Sequence, residues 1–447
     1  MNTDHISHWF VCEPGAGVDL VLREAARTLR TMAQIIVEGG PALHGTIGVL
    51  GAKNAVLKEM ASTLLAPGRH RLGNVPDIID VVLMADVLAH TGCQVERQGH
   101  DLYIDVPDEL RPEAPLNLVR QMRASIVVLG PMLARCRTAR VAQPGGDDLG
   151  ARPIDFHLDG LERLGARFEL VHGELVGEVD GPLIGTEVEL PFPSVGATEN
   201  LLFASVLAKG ETAIVNAARE PEITDLVAQL TEMGAEISGV GSAIIRVEGV
   251  ERLHPAEHHV ISDRLEAGTY AVAGAITGGD VTVTDCAPDH LRMEVRKLAD
   301  CGAEIDRGDD WLRVRGPERP AAVDFATLPF PGFHTDMHPQ MVALLAVAEG
   351  TSVITENIYD ARFRYVGELA RMGADITTEW QHAVVRGVER LSGCPVMAHD
   401  IRAGAAVVLA GLRADGTTVV DQVHHIDRGY EDFVGRLAAL GAKISRV

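Results

Sequence analysis

This 447-residue chain is poor in three things, and each absence narrows what it can be. Aromatic residues make up only 4% of it, against 46% hydrophobic residues in all. Its cores must therefore be built from Ala, Val, Leu and Ile, and a chain of this length has material for about two or three of them. Basic residues are also short: 40 Lys and Arg stand against 63 Asp and Glu, a net charge of −23. That excludes the broad cationic footprint of a nucleic-acid-binding protein. No uninterrupted apolar run reaches the roughly 18 residues needed to span a bilayer. The opening MNTDHISHWF carries an acid where a secretory signal needs a basic region. A cytoplasmic protein with no membrane partner is expected. The six cysteines, Cys12, Cys93, Cys136, Cys286, Cys301 and Cys394, show neither CxxC nor Cys/His ligand spacing, which fits reduced thiols better than disulfides or a zinc site.

What the chain does have is a repeat. One phrase, a helix-like run ending in Gly and followed by a strand, returns as HTGCQVE, RLGARFE, EMGAEIS, DCGAEID, RMGADIT and ALGAKIS. Its glycines are Gly92, Gly165, Gly234, Gly302, Gly373 and Gly441, at intervals of 73, 69, 68, 71 and 68 residues. A period of that length holds a complete small α/β unit, with Gly supplying the left-handed end of each helix. A second register, an apolar helix, Gly and a β-branched strand, recurs at LLAPGRHRLGNV, VLAKGETAIVNA, AITGGDVTVTDC, AVAEGTSVITEN and LRADGTTVVDQV; the second unit, LARCRTARVAQP, lacks the Gly. The expected architecture is α/β, with six units split into two domains of three.

In so acidic a chain an anionic ligand must be captured locally. Basic residues recur where loops meet expected helix starts: Lys53, Arg123, Arg152, Arg219, Arg264, Arg362, Arg402 and Arg428. A helix start with unpaired N–H groups beside a cation suits a phosphate or carboxylate, although any single one reads equally as a surface or capping charge. The loop GGDDLGARPID pairs Gly145 and Gly146 with Asp147 and Arg152. It reads as a mobile lid carrying an acid, or as an ordinary polar turn. Asp336, in FPGFHTDMHPQ, reads either as the N-cap of the apolar helix that follows or as a buried catalytic base.

These residues resemble a known family. GAKNA (51–55), MRAS (122–125), PGGxxxGARP (144–153), PSVGATEN (193–200), NAAREPE (216–222), HTDM (334–337) and HIDRGYE (425–431) are similar to the motifs of the UDP-N-acetylglucosamine 1-carboxyvinyltransferases, in order, from about Met32 to Val447. The resemblance implies two inside-out α/β barrel domains of three units each, residues 53–262 and residues 32–52 with 263–447, joined near Ala52 and Ser262 and closing on a cleft. It implies transfer of the enolpyruvyl group of phosphoenolpyruvate to the 3-hydroxyl of UDP-N-acetylglucosamine, with neither metal nor organic cofactor. By motif, Lys53, Asn54, Arg152, Arg402 and Arg428 would hold phosphoenolpyruvate. Arg123, the stretch Arg152, Pro153, Ile154, Asp155 and Phe156, the stretch Phe192, Pro193, Ser194 and Val195, and Ile358 would contact the nucleotide sugar. Asp336 would orient or deprotonate its hydroxyl, and Asp147 would be the general acid.

Three departures accompany the match. Asp147 stands where many members carry the Cys that fosfomycin alkylates, so insensitivity to that antibiotic is expected. Phe192 replaces a frequent Lys, and His334 a frequent Pro. Residues 1–31 have no counterpart in the family pattern and read as an extension, a docking helix or an upstream start. Other readings of the same residues are the related transfer to shikimate 3-phosphate, a paralogue acting on another nucleotide acceptor, and an inactive UDP-sugar-binding protein. Turnover with UDP-N-acetylglucosamine separates these.

Overall fold

The computed structural model describes residues 33–142, 145, 149–150 and 153–447. Its strands form six four-stranded sheets of one topology. In the unit that includes Glu211–Val215, a short strand, Glu187–Glu189, runs parallel to it. Ile244–Glu248 and then Glu236–Ser238 add on antiparallel. The repeat read from the sequence is this motif.

Three of the sheets complete themselves with distant strands. Glu257–His259 pairs in parallel with Gly68–Gly73, joining the end of one run of three units to its beginning. His44–Gly48 pairs with Asp280–Thr284, and Ile35–Glu38 lies between Thr417–Asp421 and Lys443–Arg446. One hydrophobic core therefore runs from Ala52 to Val260, while the other joins Ile35–Val49 to residues from Leu265 to Ala442. The chain passes between the cores at two adjacent places, where Gly51 and Ser262 form an isolated antiparallel bridge and the Ala52 N–H donates to the Ile261 carbonyl at 2.7 Å.

The layers are inverted relative to common α/β proteins, for a reason visible in composition. Helix Arg264–Thr277 is buried at every residue and is rich in Ala and Gly; Ile401–Leu412, within helix Ile401–Arg413, is buried throughout. A helix buried all round belongs in the centre of a body. The sheets lie outside and show one face to water: in Trp311–Arg315, Leu312 and Val314 point inward while their neighbours are half-exposed.

All six repeat glycines have positive φ, between 93° and 106°, as expected for residues that end helices. The unit lacking its second glycine keeps the backbone shape anyway: Arg137 closes helix Leu129–Cys136 at φ 62°, ψ 8°. A side chain in this left-handed region costs on the order of 1 kcal/mol. The five described cysteines are free, and Cys93, Cys286 and Cys301 are buried in the cores.

Candidate active site

A cleft of about 410 Å³ lies between the two cores and draws its lining from both. Of the basic residues singled out in the sequence, Lys53, Arg123, Arg264, Arg362, Arg402 and Arg428 line it; Arg219 does not. Lys53, Arg264 and Arg402 do sit in the first turn of α-helices, and Arg123 and Arg362 open 3-10 turns. Arg428 corrects the expectation, since it closes the 3-10 helix Val423–Arg428. Its guanidinium is placed by a partner instead of by a helix start.

That partner is Asp80, in the first turn of helix Ile79–His90. Arg428 donates to both Asp80 oxygens at 2.9 and 3.3 Å, and Lys53 Nζ lies 3.0 Å from Oδ2. Burial alone would raise the Asp80 carboxyl, but Lys53 and Arg428 hold it below the usual carboxylate range. A buried anion thus gathers two cations from different cores at one end of the site. Asn54 lines the cleft beside them.

Asp336 sits in the 3-10 turn Thr335–Met337 and does not cap the following helix: His338–Leu345 begins after Met337 with no side-chain cap. The capping role falls to His334, whose Nδ1 accepts the Asp336 N–H at 3.0 Å. His334 is therefore neutral; burial, reinforced by Arg264, pushes it down to about 4. Asp336 in turn receives Arg362 Nη2 at 3.1 Å and Arg402 Nε at 3.4 Å. Burial would raise its carboxyl, yet Arg362 and Arg402 hold it far below the ordinary range. Its side chain remains 22% exposed, toward the cleft. Arg402, itself buried, leaves Nη1 without a hydrogen-bond partner and lies 5.1 Å over the Tyr430 ring. A buried guanidinium N–H with no acceptor is a site awaiting an anion.

A second ion pair ties the cores together. Arg264, from the far core, makes a two-point contact with Glu222 at 2.9 and 3.2 Å. Burial would raise the Glu222 carboxyl, but Arg264 brings it down to about 2.

On the wider side of the cleft stand Arg123, Pro153, Asp155 and Phe156, with Phe192, Pro193, Ser194 and Val195 from a second segment and Ile358 from the far core. Ser194 caps helix Val195–Ser205 by accepting the Ala197 N–H at 3.3 Å, which presents a helix N-terminus to the cleft. Arg123 donates to the Pro153 carbonyl at 3.1 Å. Ile154 packs on the first core, beside the cleft-lining Pro153 and Asp155. Asp147 and Arg152 lie outside the described residues. Next to them, Leu149 and Gly150 meet the far core, where the Ala361 N–H donates to the Leu149 carbonyl at 3.3 Å.

Several lining residues escaped sequence reasoning. Asp80 and Asp400 read only as helix-start acids, and Lys58 and Glu199 only as helix polar positions. His157 reads as a core histidine; it is buried, bonded through Nδ1 to Asn200 Nδ2 at 2.8 Å, and pushed down to about 4 by burial and Arg123. Nothing in local spacing marks Asp80, Glu199 or His157, because the partners of those three are far away in the chain.

Two bodies of three repeated units, helices inward, with cations and the carboxylates they clamp converging between them, define a transferase of the enolpyruvyl-transfer class. A family model described as EPSP synthase (3-phosphoshikimate 1-carboxyvinyltransferase) matches residues 37–437. The chain belongs to that family, on its UDP-N-acetylglucosamine 1-carboxyvinyltransferase branch. The protein of that name from Mycobacterium tuberculosis is 53% identical over 414 residues, 93% of this chain and 99% of its own. The one from Nocardia farcinica is 53% identical over 420 residues, 93% of this chain and 98% of its own. Among solved structures, the enolpyruvyl transferase NikO from Streptomyces tendae matches with a TM-score of 0.84 at 25% identity, over 93% of this chain and 99% of NikO. EPSP synthase from Acinetobacter baumannii shares the fold, with a TM-score of 0.72 at 19% identity, over 93% of this chain and 100% of its own.

Proposed function

We propose that this chain transfers the enolpyruvyl group of phosphoenolpyruvate to the 3-hydroxyl of UDP-N-acetylglucosamine and releases phosphate, the first committed step of peptidoglycan precursor synthesis in the cytoplasm. The observation that carries this reading is the convergence of Lys53, Arg402 and Arg428 on a cleft that also holds the clamped carboxylate of Asp336. These cations, with Arg152, receive the phosphate and carboxylate of phosphoenolpyruvate, and each charge-assisted hydrogen bond contributes about 1.5 to 3 kcal/mol. Asn54 stands beside the reacting carbon. The uridine and diphosphate lie along Arg123, the segment 152–156 and Phe192–Val195, where the helix start after Ser194 faces the anion.

In the first step the sugar oxygen bonds to the central carbon of phosphoenolpyruvate, its proton passes toward Asp336, and the methylene carbon takes a proton from Asp147. In the second step the phosphate C–O bond breaks, the methyl carbon returns a proton to the Asp147 carboxylate, the proton held at Asp336 leaves with the phosphate, and the vinyl group is restored. Two arginines keep Asp336 ionised before the reaction, so it accepts the hydroxyl hydrogen bond. So weakly basic a carboxylate orients the hydroxyl first, and takes the proton only as the new C–O bond acidifies it. Asp147, with a reference value of about 3.9, must be raised to donate near neutrality. The negative phosphoenolpyruvate raises it, while Arg152 opposes. Closure of residues 53–262 on the second domain, with 145–150 as lid, excludes water from the intermediate.

The test is phosphate release from phosphoenolpyruvate with and without UDP-N-acetylglucosamine, for wild type, Asp147→Asn, and wild type preincubated with fosfomycin. Release that requires the nucleotide sugar, survives fosfomycin and falls sharply in Asp147→Asn is expected. No release with this acceptor rejects the reading.

A further inference from the structure

Helix Lys53–Ser62 opens at the cleft with Lys53, but Glu59 on the same helix does not line it. Glu59 is completely buried, and neither of its carboxylate oxygens has a hydrogen-bond partner. Burying a lone carboxylate costs several kcal/mol unless the group is neutralised or paired. Two residues from remote parts of the chain converge on it: Asp225, from helix Pro221–Glu232, and His258, from strand Glu257–His259. One oxygen of each carboxylate and one imidazole nitrogen lie within 4.8 Å of one another.

The orientation of His258 is the telling detail. Its Nδ1 lies 3.1 Å from the carboxylate of Glu232, on the solvent side, while Nε2 points inward, 3.2 Å from Asp225 Oδ1 and 3.8 Å from Glu59 Oε1. A carboxylate that takes the outer ring N–H and leaves the other nitrogen free for an ion is the usual arrangement around metal-bound histidine. Donor atoms around a tetrahedral ion with bonds of about 2.0 to 2.1 Å stand roughly 3.3 Å apart; here His258 Nε2 is at that separation from Asp225 Oδ1, and Glu59 Oε1, at 3.8 Å, would move inward on binding. A dication placed among these donors would offset the repulsion between the two carboxylates.

We propose that Glu59, Asp225 and His258 form a structural site for a divalent first-row cation of the zinc type, with Glu232 orienting the histidine. The site is separate from the cleft, whose lining includes none of Glu59, Asp225 and His258. It sits against the crossover: the other Asp225 oxygen accepts the Ile261 N–H at 2.8 Å, and the Ile261 carbonyl accepts the Ala52 N–H at 2.7 Å. A bound ion would therefore stiffen the place where the chain passes between its two cores.

The test uses the full chain stripped with EDTA and then offered zinc chloride, comparing wild type with Glu59→Leu and Asp225→Asn. Wild type should retain one zinc per chain through gel filtration, melt at a higher temperature with zinc, and with cobalt show the visible bands of a low-coordinate site. Glu59→Leu fills the same space without a charge, so it should fold with a metal-free melting temperature no lower than wild type. It should bind zinc at least tenfold more weakly and gain no stability from it. Wild type that retains no zinc, or Glu59→Leu that retains as much as wild type, overturns the proposal; the first result leaves the cluster a proton-sharing group, and the second puts the ion elsewhere.

Discussion

Arg428 and Asp80 are 348 residues apart in the chain, and they meet in a two-point ion pair at 2.9 and 3.3 Å that spans the two cores. The same carboxylate holds Lys53 Nζ at 3.0 Å. Two of the cations assigned to phosphoenolpyruvate are thus set in place before substrate arrives, by an acid that never needs to touch it. Asp80→Asn keeps the shape and removes the charge. Phosphate-release kinetics should show KM for phosphoenolpyruvate rising and kcat/KM falling roughly 10- to 100-fold, the worth of one charge-assisted contact. An unchanged KM would remove Asp80 from this positioning role.

Asp336 is clamped by Arg362 and Arg402 and open only to the cleft. Asp336→Asn retains a hydrogen-bond acceptor but no proton acceptor, so kcat should fall by about 10² to 10⁴-fold. Calorimetric affinity for UDP-N-acetylglucosamine should stay within a fewfold of wild type. A large loss of affinity with unchanged kcat would show that the residue only binds.

Asp147 is the position where the resemblance implies an acid in place of a reactive thiol. Asp147→Cys should convert an enzyme indifferent to fosfomycin into one that loses activity progressively during preincubation, with the adduct visible by mass spectrometry. Absence of an adduct would move the general acid elsewhere in the loop.

Glu199 is buried in the cleft wall with Lys58 Nζ 3.5 Å away. Burial outweighs Lys58, and Glu222 and Glu220 add to it, so the carboxyl is raised from 4.5 to about 7. A raised folded value means that the stability contribution is complete below pH 4.5 and is lost as pH rises through about 7. Melting temperatures should decline across that window in wild type and decline less in Glu199→Gln. The difference corresponds to roughly 3 kcal/mol at most, at about 1.4 kcal/mol for each tenfold change in proton affinity. Parallel profiles would mean that Lys58 keeps Glu199 ionised in the folded protein.

The repeat was legible because it is local: a helix, a positive-φ glycine and a strand follow one another within a dozen residues, and Arg137 shows the backbone shape persisting where the glycine is missing. The family resemblance likewise brought Lys53, Arg402, Arg428 and Asp336 into one set, and all four line the cleft. The N-cap alternative for Asp336 could not be rejected locally, because acids are common at such positions and only Arg362 and Arg402 reveal the difference. Asp80 and the group of Glu59, Asp225 and His258 were invisible for the same reason. Each is ordinary in its own segment and becomes chemical only through partners tens to hundreds of residues away.

By itself, then, the sequence determined the six units, the family and many of the cations that meet the cleft, since periodicity and short motifs are written in neighbouring positions. Tertiary structure decided which charges neutralise which: Asp80 with Arg428, Glu222 with Arg264, Asp336 between two arginines. Ionisation depends on burial and on charges within a few ångströms, and distance along the chain carries no record of either.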